Sequence, residues 1–193
     1  SLCRIEIVDK QSGWPVPLVE LKTTHQIRFV SDNAGVIAFD LPELMSKEVW
    51  FDVHGHGYGV PKDGFGYSGV RLTPAPGRTL RVEVERYCLA KRIGRLTGAG
   101  LFGESQRFGE DLEWKESGIV GSDSAQCVQY HGGLFWLWGD TNVPRYPLGI
   151  FSCAGALSEL SKEELRPPLR LPLQYAVNDS GHPRAVAPIS GDG

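Results

Sequence analysis

The sequence predicts an all-β protein: a Greek-key-like sandwich of seven strands over residues 1–86, then a linker and a four-stranded sheet over residues 87–193. Three observations predict it. From Cys3 to Arg86, short apolar runs are broken by turn residues at regular intervals, the mark of an all-β sandwich. Leu80-Arg81-Val82-Glu83-Val84-Glu85 alternates strictly, so one face of that strand is buried and the other wet. Gly121 to Asn142, GSDSAQCVQYHGGLFWLWGDTN, reads as a β-hairpin with an aspartate on each arm.

In chain order the first seven strands are Cys3 to Val8, Val16 to Lys22, Gln26 to Val30, Val36 to Phe39, Val49 to Val53, Gly69 to Leu72 and Thr79 to Glu85. Asp9 to Pro15, Asp32-Asn33-Ala34-Gly35 and Pro74-Ala75-Pro76-Gly77 carry the turn chemistry between them. Tyr87 to Thr97 is mixed and basic, a short strand or a connection, and Leu101 to Ser117 is polar and Glu-rich. Strands then resume as a meander, Asp123 to Tyr130, Leu134 to Asp140 and Leu148 to Gly155, with a fourth at Gln174 to Asn178 after a proline-rich connection, Arg166 to Pro172. A four-stranded sheet flanked on both faces is the unit of a propeller blade and does not bury both faces alone.

The hairpin carries the functional expectation. Leu134, Trp136 and Trp138 fall on one face and Phe135 and Leu137 on the other, so the strand is expected to lie between two packed layers. His131-Gly132 or Gly132-Gly133 supplies the positive-φ turn. With His131-Gly132 as the loop, Tyr130 faces Gly133 and Asp123 falls opposite Asp140. Directly opposed residues have Cβ atoms about 4.5–5.5 Å apart, and two like charges there call for a cation, a shared proton or a substrate group. The alternative is an offset of one register step, with each carboxylate accepting hydrogen bonds from turn amides. For Trp136 and Trp138 the choice is between stacking on a sugar and core packing, and packing is expected of at least one.

Composition removes several classes. The 193 residues are 41% hydrophobic with a net charge of −3, spread evenly: 10 Lys/Arg and 11 Asp/Glu over residues 1–86, then 10 and 12. No basic face is offered to nucleic acid, and no apolar run approaches the roughly 20 residues of a membrane span. Cys3, Cys88, Cys127 and Cys153 match no zinc spacing. Cys127 and Cys153, on the first and third strands of the meander, are expected to be buried free thiols; Cys3 and Cys88 meet only if the first and last sandwich strands are neighbours. No nucleophile elbow, phosphate loop or HExxH occurs, and no cofactor is implied. Ser1 without an initiator Met, and no signal-like apolar segment, suggest a processed protein or a piece of a longer one.

Val8, Asp9, Ser12, Gly13, Pro15, Val16, Pro17, then Ser31, Asp32, Gly35, then Gly57 and Tyr58 resemble the pattern of the transthyretin-like or carboxypeptidase-regulatory-like β-sandwich. That resemblance implies a spacer, docking or ligand-holding module beside a catalytic domain. The following segment, His54 to Gly69, is Gly-rich and carries His54, His56 and Asp63. It reads as an ordered loop wrapping a neighbouring domain with Tyr58, Phe65 and Tyr67, or, with less support because no third ligand is near, as a metal site.

RLTGAGLFGESQRFGE, SDSAQCVQYHGGLFWLWGDTN and YPLGIFSCAGALSEL are similar to the opening blade of five-bladed, glycoside-hydrolase-like propeller proteins secreted by bacteria, with Trp138, Gly139, Asp140, Thr141 and Asn142 as the motif. The resemblance implies a secreted or periplasmic protein acting on a polysaccharide or oligosaccharide. It makes Asp123 the catalytic base or nucleophile, Asp140, Asn142, Trp138 and Tyr146 substrate contacts, and the remaining blades of the same chain the source of partner carboxylates. Ending at Gly193, before a second blade, the chain is expected to be inactive alone and to self-associate through its incomplete sheet. The alternative is a non-catalytic module that binds carbohydrate or protein.

Overall fold

The computed structural model describes residues 1–97, 103–114, 117–150, 153–159, 166–169 and 171–187. Its strands are β1 (Cys3–Asp9), β2 (Glu20–Thr23), β3 (Arg28–Val30), β4 (Val36–Phe39), β5 (Val49–His54), β6 (Tyr58–Gly59), β7 (Gly69–Leu72), β8 (Thr79–Arg86), β9 (Gly121–Ser122), β10 (Gln126–Tyr130), β11 (Gly133–Trp138), β12 (Thr141–Val143), β13 (Tyr146–Ile150), β14 (Cys153–Ser158), β15 (Gln174–Tyr175) and β16 (Ala185–Ala187). Short 3₁₀ turns at Pro42–Leu44 and Ser105–Phe108 are the helices among the described residues, and the protein is all-β. Phe151 and Ser152 in the expected third meander strand, Leu101 and Phe102, Arg170, and the closing residues 188–193 lie outside the described residues.

The chain divides into two compact units, the first made of Ser1–Arg95, Gly103–Glu110 and Pro167–Leu169. It is a sandwich of two four-stranded sheets, β4-β1-β8-β6 and β3-β2-β5-β7. Alternation builds its core: Ile5 and Ile7 of β1, Ile37 and Phe39 of β4, and Val82 and Val84 of β8 meet Leu21 of β2 and Phe51 and Val53 of β5. All seven expected strands are present, with β6 as an eighth. Val16 to Val19 is not strand, although Val16 and Val19 are buried, because Leu18 takes φ 57° and bends the chain into β2.

The turn Asp32-Asn33-Ala34-Gly35 ties this unit together. Gly35 takes φ 73°, and the buried Asp32 Oδ1 accepts hydrogen bonds from the Ala34 and Val36 amides, each at 2.9 Å. Its Oδ2 accepts from the Ser105 amide at 2.7 Å. Asn33 clamps Arg95 reciprocally, donating Nδ2 to its carbonyl at 3.1 Å and accepting its amide at 2.7 Å. The edge strand β4 is capped by the same later segment: the Ala38 amide donates to Glu104 Oε2 at 3.3 Å, and its carbonyl accepts from Arg107 at 2.6 Å. Side chains thus occupy backbone groups that another strand would otherwise pair.

The basic stretch after β8 is a connection. The Arg92 guanidinium donates to the carbonyls of Pro17, Leu18 and His56, groups that no strand satisfies. Cys3 and Cys88 are free thiols. β1 and β8 are neighbours, but they run parallel, so Cys3 at the start of one and Cys88 just past the end of the other lie at opposite ends of the sheet.

The second unit comprises Leu96–Phe102, Asp111–Arg166 and Arg170–Gly193. β10, β11 and β14 form an antiparallel meander, and the fourth lane is split: β15 pairs with Ala156 and Leu157, and β16 with Cys153 and Ala154, on β14. β9, β12 and β13 make a further three-stranded sheet. Trp138, Ile119, Ile150, Ala154 and Ala156 are its buried core. The other face of the meander departs from expectation: Val128, Tyr130 and Leu157 are exposed, so among the described residues of this unit β11 is covered on one side only. Cys127 is likewise exposed, because β10 is an edge strand, while Cys153 is half-buried and free.

Burial pushes the Asp32 carboxyl up, against the pull of its amide partners from Ser105, Val36 and Ala34. A raised pKa means that the folded state holds the proton more tightly than the unfolded chain, so this group's contribution declines as pH rises from the ordinary carboxylate range through its raised value. Asp32→Ala, which leaves the buried Val36 and Ser105 amides and the half-buried Ala34 amide without their partner, is expected to lower stability in urea by about 2–4 kcal/mol, and Asp32→Asn to remove that pH dependence.

Candidate functional site

The hairpin closes on His131 (φ 46°) and Gly132 (φ 84°), the two positive-φ residues of a tight turn. Tyr130 pairs with Gly133 and Gln126 with Leu137, so paired numbers sum to 263, the register expected with this loop. The same register holds in the outer sheet, where Ser122 pairs with Thr141 and Gly121 with Asn142. Between the two ladders the strands bend: Ser124 takes φ 48°, the Asp123 amide donates to the Asp140 carbonyl at 3.2 Å, and the Gly139 amide donates to the Asp123 carbonyl at 3.0 Å. Asp123 and Asp140 therefore oppose one another along the backbone at this bend.

Each motif residue has a mechanical part in the bend. Asp123 Oδ1 lies against Gly139 where a side chain would begin, so a larger residue there would displace that carboxylate. Thr141 is buried; its hydroxyl donates to the Gly139 carbonyl at 2.9 Å and hydrogen bonds to the Ser122 hydroxyl at 2.9 Å. Asp123 is exposed and Asp140 half-buried. Among the described residues neither carboxylate has an ion-pair or hydrogen-bond partner, so the alternative in which turn amides hold them does not describe the structure.

The other expected contacts separate. Trp138 is 2% exposed, stacked on Trp136 at 6.0 Å and tilted on Tyr175 at 5.3 Å between ring centroids, so it packs the core and offers no face to a ligand. Trp136 is half-buried and donates Nε1 to Ser158 Oγ at 2.8 Å. Asn142 is exposed; its side-chain oxygen accepts from the Leu148 amide at 2.8 Å, which leaves its NH₂ for other partners. Tyr146 is exposed on β13, opposite Val143.

In the sandwich, Tyr58 is a core residue whose hydroxyl accepts from the Arg92 amide at 3.1 Å, whereas Phe65 and Tyr67 stand out from the loop, Phe65 at 90% exposure. That loop does not bury its aromatics. Among the described residues, no group of three His, Cys, Asp or Glu is placed to hold a metal, and no helix is long and apolar enough to cross a membrane. A cleft of about 800 Å³, bordered by His54, His56 and the Gly-rich loop, escaped the sequence reading because Tyr87 joins it from beyond β8.

No family model and no curated protein matches this chain.

Gly139→Ala places a methyl where the Asp123 carboxylate sits; that carboxylate ends an exposed side chain free to rotate away, so the substitution is expected to displace Asp123 while costing less than about 1 kcal/mol in chemical denaturation. The Tyr175 hydroxyl is buried without a partner among the described residues, and burial pushes its pKa up. Tyr175→Phe removes an unsatisfied group and is expected to leave thermal stability equal or higher.

Proposed function

We propose that this chain is the accessory sandwich and opening blade of a secreted or periplasmic, carbohydrate-active, glycoside-hydrolase-like propeller protein. The observation that supports this most is the pair Asp123 and Asp140, opposed on one register, unpaired, and held by residues whose other roles are structural. Two carboxylates without a neutralising partner suit hydrogen bonding to vicinal sugar hydroxyls, a charge-assisted interaction stronger than a neutral one. In this proposal Asp123 is the exposed base or nucleophile, Asp140 a substrate contact, and Asn142 and Tyr146 further contacts on the outer sheet. Trp138 supports the bend from the core.

Hydrolysis needs two carboxylates about 5–5.5 Å apart for retention or 6.5–9.5 Å for inversion, flanking the bond to be cut. Two aspartates on adjacent strands of one hairpin approach a sugar from the same side. Partner carboxylates from further blades are therefore part of the proposal, and the 193-residue chain alone is expected to bind without turnover. A second reading, a non-catalytic binding module, is favoured by the open meander face of Val128, Tyr130 and Leu157, which suits association with a protein surface.

Retention in polysaccharide-containing native gels decides between them. Asp123→Ala and Asp140→Ala are each expected to weaken binding about tenfold or more, the worth of one charge-assisted hydrogen bond. Retention unchanged in both variants removes the carbohydrate reading, and turnover by the isolated chain, abolished in Asp123→Asn, overturns its expected inactivity.

A further inference from the structure

The cleft on the sandwich has the makings of a binding site of its own. Its floor is the outer face of the β3-β2-β5-β7 sheet, where Lys22 pairs across the ladder with Asp52, and His54 follows on the same face. One wall is the loop carrying Lys62 and Tyr67; the other is the turn at His56, with Tyr87 beside it. Both walls are braced. Asp63 Oδ1 accepts the Phe65 and Tyr67 amides at 2.9 and 3.0 Å, and the Asp63 amide donates to the Tyr67 carbonyl at 2.8 Å. The Tyr87 hydroxyl donates to the Gly55 carbonyl at 3.0 Å, its amide donates to the Gly57 carbonyl at 3.1 Å, and its ring lies beside Gly59.

These braces leave Tyr87 71% and Tyr67 62% exposed. The Tyr87 ring is held by its own hydroxyl and Tyr67 by its backbone, and a ring held in place while open to solvent presents an apolar platform with less entropy to lose on binding. The charge is equally uneven. Among the described residues, neither Lys22 nor Lys62 is paired with a carboxylate, and the one carboxylate lining the cleft, Asp52, accepts from Trp50 Nε1 at 2.9 Å. The cleft is thus cationic in a chain whose net charge is −3.

We propose that this cleft binds an acidic oligosaccharide, with pyranose rings stacked on Tyr87 and Tyr67 and a hexuronate carboxylate held by Lys22 and Lys62. His54, His56 and Ser68 supply hydrogen-bonding groups for hydroxyls. A cleft of about 800 Å³ accommodates a short oligomer, within the usual range for small-ligand sites. No arginine lines it, and arginine is the usual partner of a phosphate, so a saccharide carboxylate suits it better than a nucleotide. The site shares no residue with the hairpin, and its test stands apart from that of the proposed function.

The test is calorimetric titration of the 193-residue chain with trigalacturonate, its methyl ester and a short single-stranded oligonucleotide. Trigalacturonate is expected to bind at least about tenfold more tightly than the neutral ester, and to weaken with salt. Tyr87→Ala and Lys62→Ala are each expected to raise Kd about tenfold, Lys62→Ala with the thermal midpoint unchanged because its side chain is exposed and makes no structural bond among the described residues. No binding at millimolar ligand, equal affinity for the ester, tighter binding of the oligonucleotide, or an unchanged Kd in both variants overturns the proposal.

Discussion

Because His131 and Gly132 both adopt positive φ, the hairpin that they close is held to a single ladder, and the second unit is organised by it. Side chains alternate along a strand, so a slip of one residue would carry every side chain of β11 to the opposite face. In the observed register Trp136 and Trp138 turn toward Ile119, Ile150 and the alanines of β14, while Phe135 aligns with Val128 and Leu157 on the open face. The small residues Ala154 and Ala156 make room for the two indoles. The bend beyond Trp138 interrupts the ladder without changing the register, which is why two aspartates 17 positions apart in sequence arrive opposite one another.

Local signals in the sequence were sufficient wherever the governing contact is local. The alternation of β8, the turn at Asp32 to Gly35 and the register of the hairpin all follow from spacing and turn chemistry, and all appear in the fold. The motif residues of the sandwich have structural duties as well. Asp9 Oδ1 accepts the Gln11 amide at 2.7 Å, Ser31 Oγ bridges the Val16 carbonyl and Val19 amide, and Gly57 takes φ 77°. A pattern built from such duties specifies a shape and carries little about chemistry.

What stayed hidden depends on long-range placement. Nothing around Asp32 names Ser105 as its partner, and nothing in the Tyr87 segment signals that its ring will border a cleft below His54. Cys127 has the neighbours of a core strand in sequence, but it belongs to an edge, and position in the sheet rather than composition decided its exposure. At the hairpin, the positions of Asp123 and Asp140 were legible, whereas the choice between stacking and packing for Trp138 required knowing which face of the meander would be covered.

The capping of β4 by Glu104 and Arg107 bears on how the sandwich is to be handled as a separate piece. Every one of its eight strands is complete by Arg86, and a cut there looks natural from the strand pattern. Such a truncated sandwich would keep its core but lose the side chains that occupy the Ala38 backbone groups, together with the Ser105 amide on Asp32 and the Arg95 backbone on Asn33. Its bared border would then recruit other copies strand to strand, the route by which an otherwise folded domain precipitates. The compact unit takes in Gly103–Glu110 and Pro167–Leu169, well past its last strand.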